Sequence, residues 1–399
     1  TVVAPAFLAP LGEVSCVNCG QCALVCPTAA IHERDQTAEV WAALADAEKH
    51  VVVQTAPAVR VSVGEMFGLE PGSIVTGKLV AALRRLGFDR VFDTDFAADL
   101  TIMEEANEFI HRLQNGGPLP LITSCSPGWI KFIEHFYPQL LPNLSTCKSP
   151  QQMFGAVAKT YYAQKAGLDP AKIFVVSIMP CTAKKFEARR PEMKASGYWD
   201  VDVVLTTREF GRMLKQAGID FAALQEEDYD DPLGISTGAG AIFGATGGVM
   251  EAALRTAYEL VTGATLLSLD FEEVRGLEGV KEAAIKINGR ELKVAVAHGL
   301  GNARKVLDAV VSKEKEYHFI EIMACPGGCI GGGGQPVPTN REIRAKRIAA
   351  IYQVDRQLPL RKSHENPAVQ ALYKEFLGRP LGHKSHELLH THYTPRERF

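Results

Sequence analysis

Nine cysteines punctuate the 399 residues, unevenly. The run 321–336, Glu-Ile-Met-Ala-Cys-Pro-Gly-Gly-Cys-Ile-Gly-Gly-Gly-Gly-Gln-Pro, sets Cys325 and Cys329 over a floor of glycines. Two thiolates at that spacing suit a soft metal centre, and residues without Cβ let backbone approach a bulky group. The other cysteines of the C-terminal three-quarters are Cys125 in Thr-Ser-Cys-Ser-Pro-Gly-Trp, Cys147 in Ser-Thr-Cys-Lys and Cys181 in Met-Pro-Cys-Thr-Ala-Lys-Lys. All three follow or lie near apolar, strand-like runs. Close to the start, Cys16-x-x-Cys19-x-x-Cys22-x-x-x-Cys26-Pro27 has the spacing of half a bacterial-type ferredoxin. A zinc knuckle is the alternative, but the third cysteine and the closing Cys-Pro favour iron–sulfur. Either Cys26 closes a single 4Fe–4S cubane, or a preceding segment carries the matching half.

The elements that position these residues alternate. Strand-like runs at 51–55, 90–93, 120–123, 173–179, 201–206 and 318–323 are interleaved with amphipathic helices at 37–49, 77–86, 99–113, 128–137, 150–166, 208–216, 249–260 and 302–312. Buried strands followed by helices mean parallel sheets covered by helices. The fold class expected is therefore α/β: two facing lobes that give up cysteines at strand ends, where open sheets bind ligands. Asn288-Gly289 between apolar runs marks a hairpin. A partial ferredoxin-like segment at 1–49, a catalytic domain at 50–340 and a charged, helical C-terminal wrap at 341–399 complete the organisation.

Composition removes whole classes of function. A balance of 43 basic against 46 acidic residues argues against a nucleic-acid partner. Odd, clustered cysteines argue against a disulfide scaffold and for reduced thiols. No run approaches a membrane span or a secretory signal, so the expected location is cytoplasmic. Two lures are set aside. His386-Glu387-x-x-His390 matches the zincin signature without an identifiable third ligand, and Gly238–Gly244 is one residue too long for a dinucleotide loop.

Segments 123–129, 179–187 and 321–336 resemble, in order, the three active-site motifs of the iron-only, or [FeFe], hydrogenases: Thr-Ser-Cys-Cys-Pro-x-Trp, Met-Pro-Cys-x-x-Lys-x-x-Glu and Glu-x-Met-x-Cys-x-x-Gly-Cys-x-x-Gly-Gly-Gly-Gln-Pro. The resemblance implies an H-cluster, a 4Fe–4S cubane joined to a diiron unit that carries CO, cyanide and an azadithiolate bridge. It implies Cys181, Cys325 and Cys329 as cubane ligands, Cys329 being shared. Lys184 then reaches a cyanide, and Pro57, Ala58, Gln151, Met179, Phe243, Gly244 and Met323 form the pocket. A proton relay is implied through Cys125, Glu105, Ser145 and Glu108, beside Arg112, with Cys147 structural. Cys16, Cys19, Cys22 and Cys26 would bind the additional cluster, and resemblance to longer hydrogenases favours a missing upstream half-motif. The implied partners are H2 and protons, a ferredoxin or redox partner subunit, and maturation factors. One position departs: Ser126 stands where the family has its second cysteine. It ligates iron itself, or Cys125 shifts to ligate, or the cubane keeps an open site. Low turnover from that change gives the rival reading of an H2 or redox sensor. A hydrogenase-like iron–sulfur assembly factor is the third.

Overall fold

The computed structural model describes residues 8–11 and 13–397. Eight strands are present among them: β1 (His50–Thr55), β2 (Arg90–Asp93), β3 (Leu121–Ile122), β4 (Ile173–Met179), β5 (Val203–Thr206), β6 (Val280–Ile287), β7 (Arg290–His298) and β8 (Phe319–Met323). They form two sheets of four. The first runs β2-β1-β4-β5 and is parallel throughout. The second runs β3-β8-β7-β6 and is parallel except for the β6–β7 hairpin, whose Asn288 and Gly289 both take positive φ. Val51, Val52 and Val53 are all buried, as a strand covered on both faces requires. Each such side chain taken out of water contributes about 1.5–3 kcal/mol.

Register decides the direction of everything that follows. Because β1, β4, β3 and β8 are parallel within their sheets, each ends on the loop that follows it toward one central region. The helix Thr94–Asn115 packs between the helices Pro150–Val157 and Gly248–Thr262 and so bridges the lobes. It begins well before residue 99, because Asp93 caps it by accepting from the Asp95 N–H. Residues 150–166 are helical as expected but pass through a π-turn at Ala158–Tyr162. The glycine-rich stretch before 248 winds into short turns, Gly238–Ala241 and Ile242–Gly244. The helix at Thr37–Leu44 stops short of the expected end at Lys49.

The C-terminal segment wraps the rest. The helix Arg341–Gln357 is tied down by Arg347, which holds Glu65 through two bonds of 2.7 and 2.6 Å. Further on, Cys147 and His390 pair as an antiparallel bridge, laying the tail along the lobe that carries Glu108.

Candidate active site

Four strand ends and two helix starts meet in one enclosed, mostly apolar cavity. Ala56 and Pro57 follow β1, Met179, Pro180 and Cys181 come from the end of β4, Cys125 follows β3, and Met323 and Cys329 come from β8 and its loop. Thr94 and Ala98 belong to the bridging helix, Pro150 and Gln151 open the next one, and Lys184 and Phe243 close the wall. Nine residues singled out from sequence thus converge. Ala58 and Gly244 lie directly behind that wall: the Ala58 carbonyl accepts from Ser62 and Gln335, and a Cβ on Gly244 would meet the Ala58 nitrogen at 3.4 Å.

Glu187 organises the polar side. Its Oε2 accepts from Lys184 Nζ at 2.9 Å, Gln151 Nε2 at 3.1 Å and Ser149 Oγ at 2.9 Å. Lys184 also donates to the Cys125 carbonyl at 3.1 Å. The ammonium is therefore held at the cavity and not on a solvated helix face. Glu187 had no assigned role from sequence, although its spacing from Lys184 is that of an i,i+3 helix pair.

The thiols are held in an environment that opposes free thiolate. Burial pushes the Cys181 thiol up to about 12, and burial likewise raises Cys325 and Cys329. Cys325 also feels the sulfurs of Cys181, Cys19 and Cys329, so it lies between the cavity's cysteines and the N-terminal motif. A bound metal reverses that balance, since it binds the deprotonated sulfur directly. Gln151 Oε1 reaches no hydrogen-bond partner among the described residues while lining the same cavity. Converging buried sulfurs, a fixed cation and an orphaned amide oxygen fit an anionic iron–sulfur group with polar ligands. Ser126 is not on the cavity wall; its Oγ accepts the Ala324 N–H at 3.2 Å, one residue from Cys325.

From Cys125 a polar line leads outward through an otherwise apolar interior. Burial raises the Cys125 thiol well above its usual value, and the Glu105 carboxyl adds to this. Glu105, itself buried, is pushed up to about 8, chiefly by burial, with a hydrogen bond to Ser145 opposing. The Ser145 hydroxyl donates to Glu108 Oε2 at 3.2 Å. Arg112 donates to Glu108 Oε1 at 2.5 Å, and the Thr146 N–H and hydroxyl donate to Oε2 at 3.1 and 3.2 Å. Cys147 lies beside this line, fully buried, with its sulfur 3.9 Å from Glu108 Oε2.

The cysteines 16–26 surround a short helix, Gln21–Val25, docked on the cavity's outer side. Thr182 donates to the Asn18 carbonyl at 2.6 Å and Gln21 to the Gly331 carbonyl at 2.9 Å. Here the glycine floor shows its use. A Cβ on Gly333 would stand 2.0 Å from the Cys19 carbonyl oxygen, and one on Gly332 2.2 Å from that of Pro180. The close approach is of backbone to backbone. Cys26 sits apart in character, its thiol lowered to about 7 by backbone and Thr28 hydrogen bonds, that of Ile31 first.

The zincin spacing has another fate. His386 is exposed, while His390 is buried with Nε2 3.1 Å from Glu104 and Nδ1 2.7 Å from the Thr146 hydroxyl. Both His390 nitrogens are thus occupied, and the two rings lie tilted at 41° with centroids 4.3 Å apart.

The fold and site define a metal–thiolate redox protein, and comparison with known proteins makes this specific. The family described as iron only hydrogenase large subunit, C-terminal domain, matches residues 49–333; the iron hydrogenase small subunit matches 341–396, and a 4Fe-4S binding domain matches 13–32. The chain is 58% identical to the NADP-reducing hydrogenase subunit HndD of Solidesulfovibrio fructosivorans, over all of this chain and 69% of that protein. It is 50% identical to iron hydrogenase 1 of Clostridium pasteurianum, over 92% of this chain and 65% of that one. An [FeFe]-hydrogenase structure from Chlamydomonas reinhardtii superposes with a TM-score of 0.82 at 47% identity, covering 91% of this chain and 100% of the other. More distantly, the mouse cytosolic iron-sulfur assembly component 3 is 31% identical over 95% of this chain and 82% of its own length. The chain belongs to the iron-only hydrogenase family, and its cofactors are the H-cluster and a 4Fe–4S centre at the N-terminal motif. No helix among the described residues is long and apolar enough to cross a membrane.

Proposed function

We propose that this chain is the catalytic core of an iron-only hydrogenase, interconverting H2 with two protons and two electrons. The observation that carries it is the junction of two features: a cavity rimmed by buried cysteine sulfurs, and a line of proton carriers running from Cys125 to Glu108. Cys181, Cys325 and Cys329, with Ser126 as the fourth ligand, would hold the cubane, and Pro57, Ala58, Met179, Phe243, Gly244 and Met323 would pack the diiron unit. Gln151 and Lys184 would hold its polar ligands, both fixed by Glu187. The bound cofactor supplies the splitting and making of the H–H bond.

The residues of the chain supply the proton traffic. Cys125, protonated at neutral pH, exchanges its proton at the cavity. Glu105, with a value of about 8, is poised near working pH, where a carrier is efficient in both directions. The Ser145 hydroxyl stands between the two carboxyls, within hydrogen-bond reach of Glu105 and donating to Glu108 at 3.2 Å, and can turn from one to the other to pass a proton. Arg112 fixes Glu108 Oε1 through a bond of 2.5 Å and leaves Oε2 to Ser145 and Thr146. Electrons take the other side, where Cys325 faces Cys19 of the N-terminal motif. Likeness to an NADP-reducing hydrogenase subunit supports a redox partner subunit as the exchange partner.

A second reading rests on Ser126: an H2 or redox sensor with slow turnover. Infrared spectra and H2 assays on protein treated with maturation factors decide. CO and cyanide bands with rapid turnover are expected; bands with slow turnover favour the sensor, and absent bands place the chain with the assembly factors.

A further inference from the structure

The helix Pro127–Phe136 carries Lys131, whose side chain is only 1% exposed and whose ammonium has no hydrogen-bond partner among the described residues. An unpaired buried ammonium is expensive, so a fold that keeps one holds it for a partner. The carboxylate it feels, Glu134, is already taken: Arg190 grips it through bonds of 2.6 and 3.1 Å, and Arg396 adds another of 2.6 Å. Arg396 is itself a second cation facing Lys131. The Phe186 ring, 5.1 Å from the ammonium, offers only its π-face. Burial disfavours the charged form, and the group that most favours it is the Cys16 sulfur, ahead of Glu134. Packing agrees: a Cβ on Gly128, three residues earlier on the same face of this helix, would stand 3.4 Å from the Val17 carbonyl oxygen and 3.8 Å from the Cys19 Cβ, so the missing counter-charge lies toward the N-terminal cysteines.

We propose that Lys131 is the charge partner of the iron–sulfur cluster on Cys16–Cys26 and sets that cluster's reduction potential. A cluster held by thiolates is anionic, and taking up one electron adds one negative charge. A fixed ammonium beside it stabilises the reduced form more than the oxidised one and raises the potential. The cation favours an electron resting on the N-terminal cluster, next to the Cys325 edge of the active site. This rests on the 4Fe–4S reading of residues 13–32 and not on H2 turnover.

The test is an electron paramagnetic resonance redox titration, with dithionite as reductant, of the chain assembled with iron and sulfide but without maturation factors. The N-terminal signal is the one that Cys19→Ser removes. Lys131→Met should lower its reduced fraction at a fixed potential about tenfold, a shift of about 59 mV for one electron. Lys131→Arg should titrate like the parent. Loss of the cluster in Lys131→Met but not in Lys131→Arg would support the charge pairing equally. Coincident midpoints in parent and Lys131→Met, equal cluster loss in both variants, or no iron at the motif of the parent would each overturn it.

Discussion

The two metal-binding regions of this protein solve opposite problems. The cavity at the strand ends is closed in: burial pushes its cysteine thiols upward, and its wall residues lie in, or close beside, strands and helices. The N-terminal motif has almost no regular structure, Cys22 is exposed, and Cys26, half-buried, is lowered to about 7 by hydrogen bonds. A closed site protects a reactive centre but needs its own path for protons. An open site can pass electrons to a partner and needs no such path. The two meet where Cys19 approaches Cys325 and Gly333 and where Asn18 and Gln21 bond Thr182 and Gly331.

The strongest way to break this division is to separate protons from electrons. Cys125→Ala or Glu108→Ala should lower H2 turnover at least ~100-fold, the lower end of what proton carriers contribute. Both should also abolish H/D exchange, which needs protons but no net electrons, while the infrared bands of the assembled cofactor persist. Cys19→Ser should stop turnover with an external acceptor and leave H/D exchange running. If Cys125→Ala instead strips iron from the cubane, Cys125 is a ligand and the relay begins elsewhere. If Cys19→Ser loses H/D exchange, the two regions are not independent.

How much of this was legible beforehand depended on whether the signal was local. The three cysteine motifs and the apolar strands preceding them are contiguous in sequence, so the convergence of Cys125, Cys181 and Cys329 followed from strand-end logic. Glu105 and Glu108 lay on one helix face, as their spacing required. What was missed depends on tertiary partners. Thr94 and Ala98 entered the wall because Asp93 caps the helix earlier than its periodicity indicated. The glycine floor was expected to admit a bulky group, whereas Gly332 and Gly333 admit the backbones of Pro180 and Cys19 from distant segments. His390 kept the zincin spacing because the tail uses it to hold Glu104 and Thr146, which no short motif reveals.

A smaller but cleaner effect tests the closed character of the cavity without any cofactor. Glu105 has a folded value of about 8 against an ordinary 4.5, so folding favours its protonated form. Its contribution to stability is full below pH 4.5 and is lost progressively as pH rises toward 8. Glu105→Gln keeps the shape without the titration. In the cofactor-free chain, denaturant unfolding should show the variant gaining on the parent between pH 5 and pH 8, by on the order of 3 kcal/mol, while the two stay close at pH 5. A constant difference across that range would show that water reaches Glu105 and that the line outward is not dry.

The smallest expected effect lies at the seam between the regions, at Ser126. Its hydroxyl accepts the Ala324 N–H one residue before Cys325, and it opens the helix Pro127–Phe136, so the position is already built into the cubane's edge. Pro127, Gly128 and Trp129 match the cysteine-bearing motif, and Ser126→Cys changes one atom without asking the backbone to move. Thiolate is softer than alkoxide and forms far more readily at neutral pH, so the variant should release cubane iron to a chelator more slowly and shift that cluster's reduction potential. Proton transfer through Cys125, Glu105, Ser145 and Glu108 should not change, because the substitution alters a ligand and no carrier, so H/D exchange per assembled cofactor should match the parent. An unchanged release rate together with an unchanged potential would mean that position 126 does not touch iron. The sensor reading would then lose the one residue that favours it.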